Sequence, residues 1–299
     1  MTDIRKYASR RTHTTLGEVK YLEDNREVKL KHRLLNWALH VPAAGNFGLN
    51  LWEWLVHHLP NKNGVNFFTN PEHNYFFHLP TPVSLASDNI PLPREVAREL
   101  VRRAKHRILM DSCVCRDARR CTKYNHEIGC IVLGDIGKDF VPANSHIVSE
   151  EECYKAIDRG IAAGLVPTIA RAKVDNFVFM TPDKRQMAGM CFCCDCCCAV
   201  PTYGKLPTET LTPLFHSLPG LEMKVSDACN GCGICTERCK FGAIVLRDER
   251  AVLNERCTTC GLCATVCPAK AVEMKMTDPN AVQKIVDKIM TVFDPETYP

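Results

Sequence analysis

The stretch Cys229-Asn230-Gly231-Cys232-Gly233-Ile234-Cys235-Thr236-Glu237-Arg238-Cys239 recurs in spacing as Cys257-Thr258-Thr259-Cys260-Gly261-Leu262-Cys263-Ala264-Thr265-Val266-Cys267, followed by Pro268. Each copy sets three thiols at x2 intervals and a fourth after x3. That spacing lets one tight loop and the first turn of a short helix bring three thiolates to three corners of a cubane [4Fe–4S] cluster. The fourth cysteine lies beyond the helix and points away, toward the partner cluster when two copies stand together. A single copy is compatible with zinc. Two copies at a fixed offset are a strong signal for iron and sulfide.

The offset is an internal repeat. A shift of 28 residues carries Cys229, Cys232, Gly233, Cys235, Cys239 and Ala243 onto Cys257, Cys260, Gly261, Cys263, Cys267 and Ala271. The glycine after the second cysteine is expected where the backbone passes close to inorganic sulfide. On these residues, 221–276 resembles a bacterial-type two-[4Fe–4S] ferredoxin. The resemblance implies a ferredoxin-like domain with crossed ligation. Cys229, Cys232, Cys235 and Cys267 would hold one [4Fe–4S] cluster, and Cys257, Cys260, Cys263 and Cys239 the other. Lys240 follows Cys239 where Pro268 follows Cys267. A cation there favours the reduced, more negative form of the nearby cluster.

Nineteen cysteines in 299 residues are too many for packing alone. In a secreted chain they would suggest disulfides. The cluster spacings, the odd count and the lack of an opening secretory signal point instead to a reducing cytoplasm, in an organism growing without oxygen. Ser9-Arg10-Arg11 imitates a twin-arginine export signal, but Thr12 to Thr15 and a charged stretch from Lys20 to Lys31 follow it, not an apolar run. No run reaches the roughly 18–20 apolar residues that span a bilayer. The net charge of +4 is too small to imply nucleic acid as partner.

The expected class is α+β, a small cysteine-rich α+β cluster domain followed by the ferredoxin-like one. Residues 1–93 read as an N-terminal extension, 94–200 as the cysteine-rich domain, 201–220 as a proline-punctuated linker, 221–276 as the ferredoxin domain and 277–299 as a closing helix. All three tryptophans, Trp37, Trp52 and Trp54, fall in 34–60. Pro42 and Gly45 there predict two short helices. Leu51, Trp52, Leu55, Val56 and Leu59 share a face that packs in the core, docks a partner subunit or touches a membrane surface. Residues 61–93 read as loop, with Tyr75-Phe76-Phe77 packed. A helix is predicted from Arg94 to Ile108, opened by Pro93. A second runs from a Ser149–Glu152 capping box to Gly164. Val166–Ala170 and Phe177–Met180 read as strands, and Asn280–Phe293 as an amphipathic helix. Cys153, mid-helix, reads as a small buried hydrophobe.

A second cysteine constellation joins Cys113, Cys115 and Arg116, then Cys121 and Cys130, to the tract Cys191-Phe192-Cys193-Cys194-Asp195-Cys196-Cys197-Cys198. Six thiols in eight residues point to metal or redox chemistry. The combination resembles ferredoxin-type proteins of anaerobic bacteria and archaea that join a C-x-C-R segment and a C-L-x-x-G-like segment to a C-x-C-C-x-C-C-C tract and a ferredoxin. That resemblance implies anaerobic redox work and supplies no substrate. Ten thiols suit two more cubanes, one larger cluster, a cage of soft metal ions, or a disulfide pair. One or two further iron–sulfur clusters are the expectation for 113–198. Arg116, Arg119, Arg120 and Lys123 read as a solvated basic loop or as countercharge to a cluster. His126 is a candidate ligand or a structural histidine. Leu133 to Lys138 is neither a P-loop nor a dinucleotide fingerprint.

The reading is a multi-cluster iron–sulfur electron-transfer protein, a relay subunit of an anaerobic oxidoreductase complex. Its partners would be redox proteins, with a membrane-surface contact as a further possibility. Two other classes stay open: a reductase whose ten-cysteine domain holds a special catalytic cluster, and a carrier or assembly factor for complex clusters.

Overall fold

The computed structural model describes residues 42–59, 66–80, 92–134, 145–172, 175, 187–276 and 278–293. The helices are α1 (Pro42–His58), α2 (Leu92–Arg103), α3 (Val114–Ala118), α4 (Glu150–Ala162), α5 (Thr208–Leu211), α6 (Ile234–Arg238), α7 (Leu262–Val266) and α8 (Ala281–Met290). The strands are β1 (Tyr75–His78), β2 (Arg107–Met110), β3 (Ile131–Gly134), β4 (Ser145–Ile147), β5 (Val166–Arg171), β6 (Met187–Cys193), β7 (Leu221–Val225), β8 (Ile244–Arg247), β9 (Arg250–Leu253) and β10 (Val272–Met276). The class is α+β.

Six strands form one antiparallel sheet in the order β1-β5-β6-β3-β2-β4. Side chains alternate across it, so each strand feeds two layers. One face carries Ile131, Leu133, Met190 and Phe192 against α2, α4 and α8, where Leu100, Ile157, Ile285 and Ile289 are fully buried. Each such side chain stabilises the fold by about 1.5–3 kcal/mol. The other face carries Val166, Ala170 and Cys193 against Trp52 and Val56 of α1 and against Val200, Tyr203 and Leu214. The capping box forms as predicted: Glu152 N–H donates to Ser149 Oγ, and the Glu152 carboxylate accepts from Ser149 N–H. Gly164 then ends the helix at φ 73°. Cys153 is fully buried in that layer.

Several expectations shift. The helix expected to reach Ile108 stops at Arg103, and Arg107–Met110 becomes β2. With both faces of the sheet covered, β2 is apolar on both sides and cannot be told from helix by periodicity. Tyr75–His78, expected as loop, is the buried edge strand β1. Phe76 N–H donates to the Leu214 carbonyl at 2.8 Å, and His216 N–H to the Phe76 carbonyl at 3.0 Å. The sheet thus takes strands and backbone partners from the segments read as extension and linker. α1 runs unbroken from Pro42 through Gly45, since proline at a helix start forfeits no hydrogen bond. Trp37 and Phe177–Met180 lie outside the described residues. The closing helix α8 follows the ferredoxin-type module yet completes the helical layer of the six-stranded sheet.

Residues 221–276 fold with the symmetry their repeat implies. β7 of the first copy pairs with β10 of the second, and β8 with β9. Gly233 and Gly261, at φ 78° and 79°, start α6 and α7. A Cβ on Gly233 would meet only Leu246 Cδ1 at 3.6 Å and Thr236 Oγ1 at 4.0 Å, so conformation rather than protein crowding requires the glycine. Positive φ recurs at Gly231 and Thr259, and at Gly242 and Lys270, which are also repeat mates.

The module is clamped to the sheet. Arg256 donates to the carbonyls of Phe241 (2.7 Å), Gly204 (2.7 Å) and Leu206 (3.1 Å) and to Thr208 Oγ1 (2.9 Å). A Cβ on Gly204 would lie 2.1 Å from the Lys240 carbonyl oxygen, so only glycine allows this approach. Phe215 stacks on Phe76 and His78 and meets Phe241 edge-on.

Candidate metal centres

The eight ferredoxin-type thiols surround two cavities. Cys229, Cys232 and Cys235 line one, and the fourth cysteine there is Cys267. Cys257, Cys260 and Cys263 line the other, larger one, and the fourth there is Cys239. Backbone amides of Ala243, Ala251 and Ala271 donate to the sulfurs of Cys239 (3.3 Å), Cys229 (3.4 Å) and Cys267 (3.2 Å). Ala243 and Ala271 are repeat mates, so the repeat extends to its N–H···S bonds. Such bonds stabilise a charged sulfur and tune the potential of whatever it ligates. Burial pushes the Cys260 thiol up to about 11; in the second set Cys263 is buried and the other three are half-buried, where Cys232 of the first is exposed. A buried thiol at such a value loses its proton to a metal, not to water.

The ten other thiols come from separate elements. Cys113 caps α3, Cys115 lies in its first turn, and Cys121 follows the tight turn at Arg120. Cys130 directly precedes β3, whose register pairs Ile131 with Met190 of β6 and so leads Cys130 to Cys191. On β6 the alternation turns Cys191 and Cys193 toward the α1 side and Phe192 toward α4. The turn after β6 delivers the rest.

These ten divide into two sets. Six form a closed circuit. Cys113 is within hydrogen-bonding reach of Cys115 and Cys130, and Cys130 of Cys191. Cys193 neighbours Cys191 and lies 3.1 Å from Cys198, sulfur to sulfur, and Cys198 neighbours Cys115. Hydrogen bonds from Cys115 and Cys130 hold the Cys113 thiol well below its usual range, while the same bonds raise Cys115 and Cys130. The other four are Cys121, Cys194, Cys196 and Cys197. The Sγ atoms of Cys121, Cys196 and Cys197 all lie within 4.8 Å of one another. Against the effect of burial, the amides of Tyr124 and Lys123 and the thiols of Cys197 and Cys196 bring Cys121 down to about 7. All nineteen cysteines are free thiols.

Arg116 corrects the picture of a solvated basic loop. It is 1% exposed, donates to the carbonyls of Phe192 (3.0 Å) and Ile128, and lies beside Cys113, Cys130 and Cys194. Two carbonyl bonds leave its charge uncompensated, and negative charge on the neighbouring thiols would balance it. Arg119 pairs with Glu53 of α1, and Asp195 takes Lys123 (2.8 Å), Tyr124 (2.8 Å) and Arg238. Arg238 precedes Cys239, so Asp195 ties the tract to a ferredoxin-type ligand loop. His126 spends both ring nitrogens on Asp117 (2.7 Å) and the Cys121 carbonyl (2.6 Å), which makes it structural.

The residue that sequence reasoning missed is His78. It is 3% exposed and lines the larger cavity with Cys193, Cys194, Cys239, Cys257 and Cys260. Burial lowers it to about 4, against a hydrogen bond with the Thr258 backbone. Its Nδ1 has no protein partner. Only its place at the end of an apolar run, Tyr75-Phe76-Phe77-His78, set it apart in sequence.

Residues 228–272 match the 4Fe-4S dicluster domain. Neither a curated protein nor a solved structure matches the chain. The dicluster domain and the thiol sets around it make this an iron–sulfur protein of electron transfer. The donors fit: each cavity is lined by its crossed set of four ferredoxin-type thiols, the larger one also by Cys193 and Cys194, with loop amides on the sulfurs and no disulfide. Among the described residues no helix is long and apolar enough to cross a membrane.

Proposed function

We propose that the chain is a relay subunit of an anaerobic oxidoreductase complex, passing single electrons between its ferredoxin-type module and its ten-cysteine region. The observation that carries the reading is the larger cavity. Cys193 and Cys194 line the same cavity as Cys239, Cys257, Cys260 and Cys263. Cubane clusters held by the crossed sets Cys229/Cys232/Cys235/Cys267 and Cys257/Cys260/Cys263/Cys239 would supply one-electron stations there.

The chain's own residues set the order of the stations. Exposed Cys232 places the first set at the surface, where a donor or acceptor docks. The second set, with none of its thiols exposed, lies at the seam. Beyond it lie Cys193 and the six-thiol circuit. Arg256, Asp195 and Arg238 hold the two bodies at fixed separation, so transfer needs no domain motion. The protein partner has a candidate landing site on α1, where Phe47, Leu51 and Trp54 form an exposed apolar stripe.

The test is rapid-mixing reduction of anaerobically purified protein by a low-potential donor protein. In wild type the metal centre of residues 113–198 should be reduced along with the ferredoxin-type module. In Cys260→Ser its reduction should slow at least about tenfold, since even outer-shell changes at a metal site cost about that much. Equal rates in the two proteins would remove the relay reading.

A further inference from the structure

The four-thiol set differs in kind from the sets around the two cavities. Cys121 Sγ and Cys196 Sγ are 3.6 Å apart, and Cys197 lies within 4.8 Å of both. Cys194 is within hydrogen-bonding reach of Cys196 and close to Cys197. Four sulfurs bound at about 2.3 Å to one tetrahedral ion stand about 3.8 Å apart. Thiolates at the corners of a four-iron cube stand about 6 Å apart. The mutual spacing of Cys121, Cys196 and Cys197 is that of ligands to a single ion, and Cys194 beside Cys196 is the adjacent fourth thiol. In the same molecule the ferredoxin-type thiols stand around open cavities and act on one another only through space.

The backbone around the four sulfurs supports the same conclusion. Cys197 N–H donates to Cys194 Sγ at 3.3 Å, three residues back. The amides of Lys123 and Tyr124 donate to Cys121 Sγ, two and three residues back. Two separate turns therefore wrap amide donors around a sulfur, as a loop does when that sulfur carries charge. Four thiolates on a divalent ion leave two negative charges. Buried Arg116 beside Cys194 and Lys123 above the tract oppose them.

We propose that Cys121, Cys194, Cys196 and Cys197 bind one tetrahedral divalent ion, zinc or iron, apart from every cluster. The site rests on reading the ten thiols as metal ligands, as the relay does, but not on what the six-thiol circuit holds or on electron flow. The ion pins the 113–130 segment to the turn after β6. It thereby fixes Cys193 and Cys198 against the ferredoxin-type module. Soft thiolate donors in tetrahedral array select zinc or iron over magnesium or calcium. With zinc the site is a redox-silent staple, and with iron a one-electron centre.

Two measurements on the full chain, purified without oxygen, test this. The first compares metal and acid-labile sulfide per chain in wild type and Cys196→Ser. The variant should lose one ion with sulfide unchanged and the ferredoxin-type paramagnetic signals intact. Loss of about four irons with matching sulfide would show a cubane there and overturn the proposal, as would no loss at all. The second needs no variant that folds. X-ray absorption of wild type at the zinc edge should show four sulfurs at about 2.3 Å and no iron neighbour. If zinc is absent, Mössbauer spectra of the iron-loaded protein should show one tetrahedral ferrous thiolate site apart from the cluster signals. Absence of both signals would also overturn it. Cys260→Ser should leave this ion in place, so a failed relay and a failed ion site give different results.

Discussion

In the ferredoxin-type module eight thiols sit on two copies of one loop, related by a repeat that extends to strand pairing, positive φ and N–H···S bonds. In the ten-cysteine region the thiols come from a helix cap, two turns and an interior strand, and nothing repeats. The module needs only its own loops to place four sulfurs around a cavity. The other region needs β3, β6 and α3 to be in register before Cys130 meets Cys191 or Cys121 meets Cys196. Loop-encoded sites survive local change. Sheet-encoded sites fail with the packing that aligns them.

The largest effect should break the module's crossing. Cys239→Ser should remove the cluster associated with Cys257, Cys260 and Cys263, about four irons, and leave the set that is nearer in sequence. Iron analysis with paramagnetic spectra will show the loss of coupling between two centres. If the signal of the Cys229 set disappears instead, the two loops are independent and the contrast with the other region weakens.

Next comes Arg116→Leu. It leaves thiolates of both sets buried without their cation, a loss of about 4 kcal/mol by denaturant unfolding. Cluster content of residues 228–272 should stay normal. An effect below about 1 kcal/mol would mean that Arg116 is not the countercharge of these thiols.

Trp52→Ala should cost about 3 kcal/mol, since its ring is 8% exposed and packs edge-on against Tyr203 at 5.8 Å. Trp54→Ala, 54% exposed, should change stability by less than about 0.5 kcal/mol. Thermal unfolding of the two variants separates the core side of α1 from its outward stripe. Equal effects would erase that distinction.

The smallest effect is at the seam. His78 is held near pKa 4, below the ordinary 6.5. The unfolded chain therefore binds a proton that the folded one refuses. Stability from this group is complete above about pH 6.5 and falls as pH drops toward 4, by about 2 kcal/mol between 6.5 and 5. His78→Phe should flatten that slope in unfolding experiments across the same range. An unchanged slope would place its origin elsewhere.

The sequence by itself determined the ferredoxin-type module, down to which loops repeat, because its thiols are local and their spacing is the geometry. It also determined the Ser149 capping box, the end of α4 at Gly164 and the burial of Cys153, all set by neighbours in the chain. The tertiary structure alone decided the six-stranded sheet, since strands covered on both faces lose their period-two pattern. It alone divided ten cysteines into a six and a four, because Cys121 and Cys196 are 75 residues apart in the chain and 3.6 Å apart in space. It also buried Arg116 and brought His78 to Thr258. Those contacts depend on strand register and helix docking, which join residues far apart in the chain and leave no spacing to read.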